Sequence, residues 1–281
     1  MAIEVRPASP AAGAEILGAD IGAGLDDSEF AIVRDALDRH GVIVLRNQTL
    51  TPESQVAFTR RFGEPEFNFN AARFGIDGSP EIYLISNIVE YGAPIGTRRA
   101  GETWHTDMSY AERPAGATML YAVEVPVLHG LTLGDTCFAN AAAAWDALPP
   151  AMQEEIEDLR GVFDFRGRKR SSPVSAEDIA QYPPVEHPIV RTHPRTGRKS
   201  LYIVRDDCTG IVGRDEETSR GLIEALADHI VRTEFIYQHR WQVGDVVVWD
   251  NCTVQHRAIQ DYDLPQRRLL WRTTIKGDIP V

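Results

Sequence analysis

His105-Thr106-Asp107 and the distant His256 supply two imidazoles and a carboxylate, and two arginines, Arg268 and Arg272, follow the second histidine. Such a set can hold a ferrous ion on one side and leave its other side open, the ligand pattern of non-haem Fe(II) oxygenases. An arginine beside that ion can grip the far carboxylate of an oxo-acid through two parallel hydrogen bonds. The same three ligands around zinc would make a non-redox metalloenzyme. The inward arginine pair, and the lack of an evident general base beside the motif, favour oxygen chemistry. A non-catalytic binding protein on the same scaffold is a further alternative, but all three ligand types are present.

The elements must bring these groups together. Residues two apart on a strand share a face. His105 and Asp107 should therefore aim at one point, with Trp104, Thr106 and Met108 turned away. His256 lies 149 residues beyond Asp107 (256 − 107), after the apolar run Val246–Trp249 and the turn-like Asp250-Asn251. Only a tertiary fold can bring it near. Arg268 and Arg272 share a face of the last strand with Leu270, roughly 13 Å end to end, opposite Leu269, Trp271, Thr273 and Ile275. Inward arginines are costly unless paired with anions. Bound carboxylates would satisfy them, and so would acids of the protein itself. The other histidines have weaker claims. His187 and His193 stand beside prolines, His239 alternates with aromatic residues, and His40 ends a helix, where a cation is favourable.

Periodicity predicts helices over 29–40, from Thr51-Pro52 to about Phe62, over 150–160 and over 215–232. Strands are expected at 41–46, 82–85, 117–125, 235–241, 246–249 and 268–275. The glycine-bearing stretch 87–103 leads straight into His105 and reads as a mobile loop that could cover the site. The basic run Arg166–Arg170 reads as a solvated loop, or as a second lid that attracts an anion. With no repeat and no linker, 1–281 reads as one β-rich domain with helices gathered near its start.

The 281 residues carry a net charge of −12, which argues against a nucleic-acid partner. No stretch is long and apolar enough to span a membrane, and no signal peptide is visible. Cys137, Cys208 and Cys252 are odd in number and far apart, which argues against a disulfide framework and fits a cytoplasmic location.

Trp104-His105-Thr106-Asp107, Gly134-Asp135-Thr136, Trp249-Asp250-Asn251, Gln255-His256-Arg257 and Leu264-Pro265-Gln266-Arg267-Arg268 through Arg272, in this order, resemble the taurine dioxygenase and 2,4-dichlorophenoxyacetate dioxygenase family. The resemblance runs from Gly18-Ala19-Asp20 to Gly277-Asp278. It implies a double-stranded β-helix, a cupin-like jelly roll that is mainly β with flanking helices. It implies an enzyme that uses Fe(II), 2-oxoglutarate and O2 to hydroxylate a small, anionic or zwitterionic substrate, releasing succinate and CO2. Related enzymes often self-associate, so a homo-oligomer is expected. By the resemblance, His105, Asp107 and His256 ligate iron. Arg272 binds the distal carboxylate of 2-oxoglutarate together with Thr136, and Arg268 meets an acidic group on the substrate. Three departures bear on the substrate. Gly101 replaces a polar contact residue, the segment Val127–Leu133 differs from the usual glycine-rich turn, and Asp206-Asp207 stands where a phenylalanine packs on the substrate in the taurine enzyme. Asp207 is therefore expected to contact a cationic or hydrogen-bonding substrate group.

Overall fold

The computed structural model describes residues 2–67, 71–168 and 175–281. Among them, nine strands form one mixed sheet, whose main path runs Glu4–Pro7, Ala14–Leu17, Val42–Leu45, Val246–Asp250, Ala115–Glu124, Leu269–Lys276, Ser79–Ser86 and Gly75–Ile76. A second sheet sets Thr136–Asn140 between Ile236–His239 and Val254–Ala258.

The alternation of side chains along each strand assigns the large sheet two different faces. From Val246–Asp250, Val246 and Val248 enter a core with Phe30, Val33, Leu37 and Phe58. These four come from the helices Asp27–His40 and Pro52–Phe62. Val247 and Trp249 point the other way and pack with Phe138, Tyr237, Trp241 and Val254, on the small sheet or beside it. The last strand follows the same rule. Leu270 joins the core between the sheets, while Trp271 and Ile275 join the helical side, where Thr273 meets Thr59 of the second helix at 2.7 Å. Arg272 therefore points into the space between the two sheets.

The helix ends follow from local chemistry. Thr51 accepts from the Ser54 amide and Pro52 opens the helix. Asp26 and Glu29 make a reciprocal capping box at Asp27–His40. Later helices span Pro150–Ile156 and Glu216–Ile230, close to the expected ranges.

Two expectations change. Residues 104–108 do not form a strand. His105 makes a single antiparallel bridge with His256, and a turn follows in which Met108 takes the left-handed φ of 56°. Trp104 and Met108 consequently pack in different clusters rather than on one shared face. The stretch 87–103 is laid on the sheet rather than free of it. Thr97 bonds Leu84 and Ser86 through the backbone, and Ala258 N–H donates to Gly101 O at 2.7 Å.

Candidate active site

The bridge that replaces the expected strand makes the site. His105 N–H donates to His256 O at 3.1 Å and His256 N–H donates to His105 O at 2.8 Å. The chain then turns and swings the Asp107 carboxylate across both rings. Asp107 Oδ1 lies 3.8 Å from His105 Nε2 and 3.9 Å from His256 Nε2. All three side chains are buried, and one ligand atom from each falls within 4.8 Å of the others. The sequence expectation for these three residues thus meets a matching geometry, two nitrogens and one oxygen converging on one point.

Neighbouring groups hold the ligands in place. His105 Nδ1 is 2.8 Å from Thr103 O, which directs Nε2 inward. The His256 ring lies between Trp249 and Phe138, with centroids at 4.6 and 6.2 Å. Thr118 Oγ1 donates to Asp107 Oδ2 at 2.7 Å. Asn251 Oδ1 accepts from the Asp107 amide, from Thr106 Oγ1 and from Trp249 Nε1, while its Nδ2 donates to Thr118 Oγ1. Asn251 and Thr118 are additions to the sequence-derived site. The signal for Thr118 was a lone threonine inside the buried, mostly apolar run 117–122.

The charges suit a cation. Burial alone would raise the Asp107 carboxyl, but Arg272, His256 and His105 outweigh it and hold the group well below the usual carboxylate range. Burial is the leading influence that pushes His105 well below the ordinary imidazole range and His256 down to about 4. The ligands are therefore a carboxylate and two neutral imidazoles at neutral pH, the donor forms a divalent metal needs.

These shifts set a pH dependence. A histidine whose folded pKa is depressed stabilises the fold above its unfolded pKa of about 6.5, and that contribution is lost as pH falls. For His256 the loss amounts to about 2 kcal/mol at pH 5. His105, His187, His239 and His40 shift in the same direction, chiefly through burial. His193 has the opposite sign, because Asp250 outweighs burial and raises it. Urea melts of metal-free protein should give a lower midpoint at pH 5 than at pH 7.5. A flat or rising profile would contradict the burial account.

The two arginines separate along the cavity. Arg272 sits at the end of the His105, Asp107 and His256 cluster. Its Nη2 is 2.7 Å from Asp107 Oδ1, and its Nη1 donates to Tyr83 Oη at 3.2 Å. Of the two partners the sequence allowed for inward arginines, Arg272 has a protein acid. Arg268 sits in the corner of Thr136. Its Nη2 donates to Gly134 O at 3.2 Å, and its guanidinium lies over Trp241 and Tyr262. Trp241 Nε1 donates to Thr136 Oγ1 at 3.1 Å, leaving the Thr136 hydroxyl hydrogen to point elsewhere. Gly134 makes room for this corner. It holds φ at 75°, and a Cβ there would stand 2.9 Å from the Tyr262 ring and 3.1 Å from Arg268 Nε. Through Trp241, Thr136 neighbours Arg268, whereas the grouping expected from the sequence was Thr136 with Arg272. A narrow cavity of about 40 Å³ is lined by His105, Thr136, His256, Arg268 and Arg272. A larger one of about 500 Å³ is lined by none of these residues.

Asp207 corrects the expectation attached to it. It is fully buried, and both its oxygens are engaged by protein groups. Ser109 Oγ donates to Oδ2 at 2.5 Å, and Arg168 grips the carboxylate through Nε and Nη2. A cationic substrate group would have to compete with Arg168 and Ser109 for this buried carboxylate. Within the basic run, Arg168 is largely buried against Asp207, while Arg166 pairs with Asp164 but stays largely exposed, as expected of a solvated loop. Lys169 and Arg170 lie outside the described residues.

A second buried set, His193, Asp250 and Cys252, also has metal-like spacing. Asp250 already accepts from the Cys252 amide and Thr253 Oγ1 and faces His193 Nε2 at 3.3 Å. The Arg191 guanidinium is close enough to influence the Cys252 thiol, and this set reads as a structural network.

The model of the taurine catabolism dioxygenase TauD, TfdA family matches residues 4–274. The chain belongs to this family of α-ketoglutarate-dependent dioxygenases. It is 34% identical to the alpha-ketoglutarate-dependent 2,4-dichlorophenoxyacetate dioxygenase of Cupriavidus pinatubonensis, with 100% of both chains covered. It is 32% identical to the alpha-ketoglutarate-dependent sulfate ester dioxygenase of Pseudomonas putida, over 99% of this chain and 91% of that one. Among solved structures, a taurine dioxygenase from Burkholderia xenovorans superposes with a TM-score of 0.84 at 37% identity, covering 100% of this chain and 91% of the other. AAD-2 in complex with Mn(II) and N-oxalylglycine superposes with a TM-score of 0.83 at 31% identity, covering 100% and 99%. The TauD-like fold thus accounts for the mostly stranded architecture. None of the described helices is long and apolar enough to cross a membrane.

Proposed function

We propose that this TauD/TfdA family member uses Fe(II) and 2-oxoglutarate to hydroxylate a C–H bond of a small acidic substrate, with succinate and CO2 as coproducts. The observation that carries this reading is the convergence of His105, Asp107 and His256 between two sheets, with guanidinium groups on the same cavity wall. Bound there, iron would supply activation of O2 by oxidative decarboxylation of the keto acid. The protein supports that chemistry by holding the ligands with Thr103, Thr118 and Asn251, by keeping the histidines neutral, and by burying the centre away from water.

Arg268 and Thr136 are the better pair for the distal carboxylate of 2-oxoglutarate. Trp241 and Gly134 join them in one corner, and a guanidinium with a hydroxyl makes a complementary carboxylate site. Arg272, beside the ligand carboxylate, is the group placed to orient an acidic substrate close to the iron. This exchanges the roles expected from the sequence. We read the two sheets as the halves of a double-stranded β-helix that makes one domain. The buried free cysteines fit a reducing compartment.

The test is succinate release with Fe(II), 2-oxoglutarate and ascorbate across sulfonates, aryloxyalkanoates, amino acids and sulfate esters. Substrate-dependent succinate with at least one anionic class is the expected result. Metal-dependent hydrolysis without oxygen uptake would replace the oxygenase with the zinc-type alternative.

A further inference from the structure

We propose that His239 is a positioning residue for the cosubstrate: pinned between Asp245 and Tyr237, it sets the tilt of Trp241 and thereby the Thr136 hydroxyl and the Arg268 guanidinium. The inference rests on the reading of the Thr136–Arg268 corner given above and adds the group that holds that corner from behind.

His239 stands directly opposite Thr136 in the small sheet, where Ile236–His239 pairs with Thr136–Asn140. Side chains paired in this way share a face, so both enter the space between the sheets. Trp241 follows two residues later and closes the contact. Its indole meets the His239 ring edge to face, with centroids 4.6 Å apart, and donates from Nε1 to Thr136 Oγ1. The Arg268 guanidinium lies over the same indole, 5.9 Å from the ring centroid. One buried indole thus touches His239, Thr136 and Arg268. In a close-packed interior, a change of tilt at one of these contacts is felt at the other two.

The His239 ring is fixed at both nitrogens. Nε2 lies 3.0 Å from Asp245 Oδ2, and Nδ1 lies 3.2 Å from Tyr237 Oη. A carboxylate only accepts, so Nε2 carries the hydrogen and Nδ1 accepts from the tyrosine. Asp245 is locked in turn. Its Oδ2 also accepts from the Gln242 amide at 2.8 Å and from Arg46 Nη1 at 2.6 Å, and Arg46 Nη1 donates to Arg240 O at 3.1 Å. The residues held in this way, His239, Arg240 and Gln242, bracket Trp241 along the chain. Gly244 N–H donates to Ala122 O and Ala122 N–H donates to Asp245 O, both at 2.8 Å, which ties the bracket to the large sheet. Packing alone would need none of these polar groups. His239 and Asp245 are 0% exposed, and taking them out of water is costly. An apolar side chain would fill the same space and leave the indole free to slide, whereas directed bonds at both ring nitrogens fix one orientation.

The experiment uses the whole chain loaded with Mn(II) and calorimetric titration with N-oxalylglycine and with oxamate, which lacks the arm bearing the distal carboxylate. The wild type should prefer N-oxalylglycine by roughly a hundredfold, the scale of one buried charge-assisted contact. His239→Leu should cut that preference about tenfold and leave oxamate binding unchanged. Trp241→Phe, which removes the Nε1–H, should cut it by a similar factor. Adding His239→Leu to Trp241→Phe should change nothing more, because the influence passes through the indole. Tyr237→Phe removes one of the two pins at nearly constant volume and should cut the preference roughly two- to threefold, so the test stands even if His239→Leu does not fold. An unchanged preference in the His239 and Tyr237 variants, an equal loss of oxamate binding, or losses that add in the double variant overturns the assignment. An Arg268→Ala protein that keeps the full preference would instead sink the reading of the corner beneath it.

Discussion

Asp107→Ala should lower substrate-dependent succinate release by about a thousandfold or more, and metal affinity by at least roughly a hundredfold. The change removes the only carboxylate in the triad, the acceptor of Thr118 and the counter-ion of Arg272 in one step. Removing one member of a buried ion pair costs about 3–5 kcal/mol, so part of the loss could come from unfolding. A thermal melt beside the assay separates the two effects. Asp107→Glu, which keeps the charge and moves the oxygen, should fold and still turn over poorly. Normal turnover by a folded Asp107→Ala protein would remove the metal site from these residues.

Arg268→Ala should raise the 2-oxoglutarate concentration needed for half-maximal rate by roughly a hundredfold, with a smaller effect on the primary substrate. Losing one partner of a buried, charge-assisted contact costs about 2–5 kcal/mol, which sets that scale. The geometry behind the prediction is the corner where Gly134 O takes a hydrogen bond from Arg268 and Trp241 bonds Thr136. Arg272→Ala should show the reverse pattern, acting mainly on the acidic substrate. Apparent affinities for 2-oxoglutarate measured on both variants decide the matter. If Arg272→Ala is the one that loses the cosubstrate, the grouping of Arg272 with Thr136 expected from the sequence is restored.

The residue types and the order of His105, Asp107 and His256 were legible because metal chemistry admits few ligand sets. Strand parity was equally legible, and Arg268, Leu270 and Arg272 do share a face turned from Trp271 and Ile275. Parity says nothing about depth, however. Which arginine stands near Asp107 depends on how Leu269–Lys276 is registered against Ala115–Glu124, with Arg272 opposite Leu120, and that pairing is tertiary. Asp207 was misread for a related reason. Its neighbours in sequence gave no sign that Arg168, 39 residues earlier, and Ser109, 98 residues earlier, would consume both its oxygens. The expected strand at 104–108 failed locally, where Thr106 and Asp107 are drawn onto Asn251 and Met108 adopts a left-handed turn conformation.

The reciprocal amide bonds between His105 and His256 have a bearing on biogenesis. Two of the three proposed metal donors are neighbours on one two-residue ladder, yet 151 positions (256 − 105) separate them along the polypeptide. Closing so long a loop is entropically slow, and domains assemble as synthesis proceeds from the N-terminus. Residues 105–107 alone therefore make no complete centre, which cannot assemble before the segment carrying His256 has been synthesised and has paired with His105.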